Sequence, residues 1–282
     1  MLEHLDETAI RAAFAQPAHD GTFPDPFRSY LRTLAQDRPS VILAFPPKAA
    51  GTFLRGAAIA AAGGQLVRVV HAQGGRDAQL YLPVFLAYYR GALGDVPLVA
   101  HVHLQALPAN RHFFDALDLK PSVMIRSISD MLASYRDMLD ADAVARGEGL
   151  NCAIPAQYAD WSAEDKGDFL IDVLGPWYVG YYATWLDYAR RDPARVCVVT
   201  YRDFLKQPAD ALARILAHAE LETPYAACRD AIAEVWSERG EHRFNRAENG
   251  RGLRYFSTAQ VARLGRMLSY YKPLDEHYDA LI

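Results

Sequence analysis

The run Pro47-Lys48-Ala49-Ala50-Gly51-Thr52-Phe53 carries the first chemical signal in this sequence. Small side chains let a backbone wrap closely around an anion, with its N–H groups pointing inward. Lys48 adds a full charge and Thr52 a hydroxyl donor. That is the chemistry of a phosphate or sulfate cradle. It is not the Walker order, in which lysine follows the second glycine; here Lys48 precedes Gly51. An ordinary strand–turn–helix with an exposed lysine fits the same run. A second signal is Arg126, followed eight residues later by Ser134. An arginine fork and a hydroxyl on one side of a helix start suit the oxygens of a phosphate. A capped helix beside a surface arginine also fits, with Ser129 or Asp130 as the cap. The third is His101-Val102-His103, whose imidazoles share one face if the segment is extended. They suit a metal pair, with His112 as a further ligand, or a single general base near a strand end. No cysteine or carboxylate stands at tight ligand spacing, so the base is favoured over the metal. The fourth is an arginine-rich stretch, with Arg239, Arg243, Arg246, Arg251, Arg254, Arg263 and Arg266 against Glu241 and Glu248. Asn249-Gly250-Arg251-Gly252 makes it turn-rich, so it can close over an anionic ligand. A solvated charge run and a nucleic-acid patch are the alternatives. Few aromatics interleave, which argues against single-strand stacking.

These groups need elements to hold them. Residues 41–45 are wholly apolar and end in Pro46-Pro47, the pattern of a strand buried on both faces. Further strands are expected at 66–70, 98–104, 122–125 and 196–201. Helices are expected at 52–62, 110–117, 129–139, 169–191 and 208–219. Such alternation predicts an α/β fold, a mostly parallel central sheet flanked by helices. Ligands bind such sheets at the carboxyl ends of the strands. The lysine, histidine and first arginine signals all fall there. Residues 1–40 read as two short helices around a turn at 19–26, and 140–168 as a long loop or insertion.

Composition narrows the field. The chain has 282 residues, 51% hydrophobic, with a formal charge of −4. This predicts one soluble domain spanning 1–282 and excludes a globally basic nucleic-acid coat. Three scattered cysteines, Cys152, Cys197 and Cys228, are no disulfide framework and suit a cytoplasmic, reducing compartment. No apolar run is long enough for a membrane span, and the first residues do not read as a secretory signal.

In this order the motifs resemble the sulfotransferases that use 3′-phosphoadenosine 5′-phosphosulfate (PAPS), cytosolic type. Pro47–Phe53 is similar to their Pro-Lys-Ser-Gly-Thr-Thr-Trp loop, and His101–Leu104 to Lys-Thr-His-Leu. Arg126 and Ser134 match the family's 3′-phosphate segment. The stretch 168–186 resembles the helix before the adenine-contacting strand, 199–208 the Tyr-Glu-Asp-Leu motif, and 244–251 the closing Arg-Lys-Gly loop. The resemblance covers about residues 40–270. It implies a sulfotransferase fold related to the P-loop kinases, no metal, and sulfuryl transfer to a hydroxyl or amine. It implies His103 as general base and Lys48 at the leaving phosphate. Lys48, Ala49, Ala50, Gly51, Thr52 and Phe53 would hold the 5′-phosphate. Arg126, Ser134, Arg246, Ala247 and Arg251 would hold the 3′-phosphate. Tyr201 and Phe53 would flank adenine, with Trp177, Tyr181 and Tyr182 in the core. The product nucleotide would be 3′-phosphoadenosine 5′-phosphate (PAP). Gly51 stands where the family has threonine, Ala50 where it has glycine, and His101 where it has lysine. The acceptor would be a small molecule, lipid or carbohydrate, shaped by aromatics such as Tyr81, Phe85, Tyr88, Tyr89, Tyr158 and Trp161. A homodimer stays open; nucleic acid is not expected as a partner. The rival readings are a PAP-binding protein without turnover and a nucleotide-dependent kinase.

Overall fold

In the computed structural model, residues 8, 25–35, 38–70, 79–91, 94–141, 153–237 and 249–282 are described. Short apolar strands and longer helices alternate along them. Helix α1 is Asp25–Ala35, followed by β1 (Ser40–Leu43), α2 (Gly51–Ala62), β2 (Gln65–Leu66) and α3 (Leu82–Tyr89). Then come β3 (Leu98–His101), α4 (Pro108–Ala116), β4 (Ser122–Ile125) and α5 (Ile128–Ala141). Helix α6 (Ala163–Phe169) runs through a π-helical turn, Leu170–Leu174, into α7 (Gly175–Arg191). The chain continues through β5 (Cys197–Thr200), α8 (Tyr201–Lys206), α9 (Pro208–His218) and α10 (Tyr225–Ser237). After the gap in description come α11 (Gly252–Tyr255), α12 (Thr258–Leu268) and α13 (Tyr278–Leu281).

The five strands form one parallel sheet in the order β2-β3-β1-β4-β5. Every residue of β1 and β4 is buried, because helices cover both faces of the sheet centre. From β1 the chain leaves toward β3 and β2; from β4 it leaves toward β5. The carboxyl ends of β1 and β4 therefore flank a crevice, the usual ligand position in such a sheet.

Several expected boundaries move. The second strand keeps only Gln65–Leu66, and Val70 makes an isolated antiparallel bridge to Leu80. Strand β3 stops at His101, although the Val102 N–H still bonds the Leu43 carbonyl at 3.0 Å. The expected loop at 140–168 is largely helical where described. Ala156–Asp160 is a 3₁₀ turn, and Ser162 caps α6 by accepting from the Asp165 N–H at 3.1 Å. Tyr158, Trp161 and Phe169 pack their rings together, and that apolar cluster orders the segment. At the N-terminal end, α1 begins at Asp25, so the expected turn ends earlier than Pro26; its remainder, 19–24, lies outside the described residues, as does Cys152.

Candidate functional site

The loop after β1 is built from backbone. Lys48 and Ala50 both take left-handed backbone angles, with φ of 67° and 59°. Two such residues around Ala49 curl the main chain so that successive N–H groups converge. Helix α2 starts directly afterwards. Its first N–H groups have no partner within the helix. Ala50 at the N-cap carries only a methyl and cannot cap them. Converging amides at a helix start make a donor array suited to an anion. Phe53, expected to flank adenine, is fully buried instead. It lies edge-on to Phe204 at 5.7 Å and to the partly exposed Trp236 at 5.6 Å.

The turn after β4 is built from side chains. Ser127, not Ser129 or Asp130, caps α5: its hydroxyl accepts from the Asp130 N–H at 3.2 Å. Ser129 is turned away, donating to the main-chain oxygen of Ile282 at 2.5 Å. The Asp130 carboxylate accepts the N–H groups of Gly250 (2.9 Å) and Gly252 (2.7 Å). So Asp130 anchors the described end of the arginine-rich segment. Gly252 needs its missing side chain here, since a Cβ would sit 2.3 Å from the Ser129 hydroxyl. Arg126 is almost wholly buried. Its guanidinium donates to the Lys48 carbonyl and stacks 4.0 Å above the Tyr201 ring centroid. That hydrogen bond joins the two loops across the β1–β4 crevice. Ser134 is also buried, further along α5. The Lys48 ammonium lies over the Tyr135 ring at 5.4 Å, toward the same helix.

The strand ends are held from below by α7. Tyr178, Tyr181, Tyr182 and Trp185 recur at helical spacing and share one stripe. Each donates to a backbone carbonyl at a strand end. Tyr178 reaches Pro47 at 3.0 Å and Tyr181 reaches Ala44. Tyr182 sits between the Met124 and Arg126 carbonyls at 3.1 Å each, and its oxygen receives the Arg126 N–H. Trp185 reaches Leu104 at 3.0 Å. Burial pushes the Tyr181 and Tyr182 hydroxyls well above the usual phenol range, so both stay protonated donors. Tyr181 and Tyr182 are core, as the sequence suggests. The missed signal is their hydroxyls, which a purely apolar core would not need.

His101 and His103 do share a side, their rings meeting edge-to-face at 4.6 Å. The His103 Nδ1 lies 2.7 Å from the Phe45 carbonyl. A carbonyl only accepts, so Nδ1 carries the proton and Nε2 is the basic nitrogen. Among the described residues no three histidines, cysteines or carboxylates gather as a metal site.

Tyr201 marks where the two halves converge. Burial raises its hydroxyl's pKa, Arg126 and Arg251 oppose that, and Asp130 adds to it. Arg251, though, is buried against Asp137, whose carboxylate takes its guanidinium. It also donates to the Tyr255 hydroxyl at 3.4 Å. Arg246 and Ala247 lie outside the described residues. Two aromatics expected near the acceptor are elsewhere. Tyr88 bonds the Pro39 and Val96 carbonyls, and Tyr89 pairs with Ser40 at 3.3 Å. Both hold the amino ends of β1 and β3, across the sheet from the crevice.

Comparison with known proteins finds no matching family model and no matching curated protein. Among solved structures, the chain is similar to mouse sulfotransferase SULT7A1 complexed with PAP. The TM-score is 0.61 at 12% identity, covering 89% of this chain and 91% of that one. The five-stranded parallel sheet with flanking helices is thus a sulfotransferase fold.

Proposed function

We propose that this protein transfers a sulfuryl group from PAPS to an acceptor hydroxyl or amine. The observation that carries this reading is the Arg126 bond to the Lys48 carbonyl. It brings a backbone anion cradle and an arginine turn together at one place, as a nucleotide with two phosphate ends would need. The PAP bound to the structural neighbour supports the same ligand. The residues fit it. The left-handed turns at Lys48 and Ala50 and the uncapped start of α2 suit the 5′-phosphosulfate. Arg126 and Ser134 suit the 3′-phosphate. Trp236 and Tyr201 serve adenine, with the buried Phe53 ring packed edge-on against Trp236. Arg246 and Ala247 would complete the 3′ end, while Arg251 acts through Asp137 to hold the closing segment.

Sulfuryl transfer is governed by in-line geometry and charge stabilisation. The acceptor oxygen forms a bond to sulfur as the bond from sulfur to the phosphate oxygen breaks. The acceptor proton passes to His103 Nε2, which the Phe45 bond leaves basic. The bonding electrons leave with PAP, and Lys48 with the cradle amides stabilises that charge. PAP should raise the melting temperature well above what AMP achieves; equal shifts would remove the 3′-phosphate site. With radiolabelled PAPS, His103→Ala should lower turnover roughly 10²–10⁴-fold while PAP binding persists. Near-normal turnover would take His103 out of the reaction.

A further inference from the structure

His101 ends β3 with its ring pressed against the first residue of α2. A Cβ built on Gly51 would lie 2.0 Å from His101 Nε2 and 2.4 Å from Cε1. Glycine at 51 and histidine at 101 are therefore one steric unit: the imidazole fills the space a side chain at 51 would take. The Phe45 carbonyl beside the ring favours its protonated form. Its Nε2 is sealed from solvent and has no hydrogen-bond partner among the described residues. With Nε2 against Gly51, it is Nδ1 that is left to carry the proton toward that carbonyl, which also takes the His103 Nδ1–H at 2.7 Å. A buried nitrogen left without a partner is costly in a folded protein. Here it lies beside amides that converge on an anion.

We propose that His101 is a positioning residue that takes up a proton when a nucleotide's 5′-phosphate fills the cradle, coupling nucleotide affinity to pH. This rests on the reading of the site as a PAP site. With the cradle empty of anion, the neutral ring keeps its one proton on Nδ1 and offers Nε2 as an unmatched acceptor. An anion held by these amides favours a cation beside them, so its binding favours a proton on Nε2. The imidazolium then sets its charge beside the first residue of α2, next to the anion. The charged surroundings agree. From β3's extension His103 faces the ring, from α2 Arg55 does, and from the loop after β1 Phe45 meets it with ring and carbonyl. Burial first, then His103 and Arg55, hold the free imidazole's pKa well below its usual value. A dianion beside it opposes these influences and raises the pKa. The group is thus more readily protonated in the complex than in the free protein. Affinity is highest at low pH and falls as pH rises from the free-site pKa through the bound-site pKa.

The test is calorimetric titration of the full chain with PAP in two buffers of different ionisation enthalpy. At about pH 7.5, where phosphate is nearly fully ionised, wild type should absorb a fraction of a proton per PAP bound. His101→Gln should abolish this uptake, and His103→Gln should keep it. From about pH 6.5 to pH 9 the wild-type Kd should weaken several-fold more than that of His101→Gln, as the bound-state proton is lost. A second variant guards against misfolding. Gly51→Ala should weaken PAP binding, and Gly51→Ala with His101→Ala should recover much of the loss, a coupling that separate sites would not show. PAP binding without proton uptake, uptake unchanged in His101→Gln, or tight binding by Gly51→Ala would each overturn the inference and leave the proposed function standing. Failure of wild type to bind PAP would overturn both.

Discussion

The turns after β1 and β4 sit side by side but are made in opposite ways. The first is main chain. Its residues are small, two have left-handed angles, and the helix it feeds has no side-chain cap. The second is side chain. Ser127 caps, Asp130 holds two glycine amides, and Arg126 is clamped between the Lys48 carbonyl and the Tyr201 ring. A main-chain cradle grips any small tetrahedral anion. A clamped arginine selects, because its fork is already aimed. On the proposed function, the common end of the nucleotide falls to the first turn and its distinguishing phosphate to the second.

The largest effect should separate chemistry from recognition. Lys48→Ala should cut kcat by about 10²–10³, the usual cost of a lost charge-stabilising donor. Arg126→Ala should weaken PAP binding by about 1.5–3 kcal/mol, the range for a hydrogen bond to a charged group, and leave AMP binding nearly unchanged. Steady-state rates and parallel titrations of the two nucleotides check both halves. Equal effects of the two variants on AMP would dissolve the contrast. Next, Asp130→Ala should destabilise the protein by about 1–3 kcal/mol in urea unfolding, because the buried Gly252 amide and the part-buried Gly250 amide lose their acceptor. No change would mean that the Gly250–Gly252 segment is not held there. The smallest effect sharpens the main-chain side. Ala50→Gly should stabilise by at most about 1 kcal/mol, since a left-handed alanine costs roughly 1–2 kcal/mol and glycine returns part of that as entropy. A loss of stability would show that the Ala50 methyl contributes packing that outweighs the strain.

Much of the scaffold was legible from local patterns. Apolar runs of a few residues beside proline or glycine located all five strands, though β2 and β3 were drawn too long. Strand β3 stops where its partner β1 stops, at the Leu43–His101 pair, a limit that only pairing sets, whereas β2 leaves the sheet at Leu66 while β3 runs on to His101. The segment after Ala141 was misjudged for a related reason. Its glycine-, alanine- and aspartate-rich composition reads as loop, whereas the packing of Tyr158, Trp161 and Phe169 makes its later part helical. Tyr88 and Tyr89 look like site aromatics in one dimension and prove to be bolts at the sheet's other end.

By itself the sequence determined which residue types follow each strand, because turn chemistry, helix starts and two-residue strand alternation depend on neighbours within a few positions. Tertiary structure alone decided which of them meet. Arg126 finds the Lys48 carbonyl 78 positions away, Arg251 pairs with Asp137 across 114, and Tyr178 reaches Pro47 across 131. His101 closes on Gly51 in the same manner. Such partners are chosen by the order of strands in the sheet and by the helix stripe packed beneath it, and no short-range pattern encodes either.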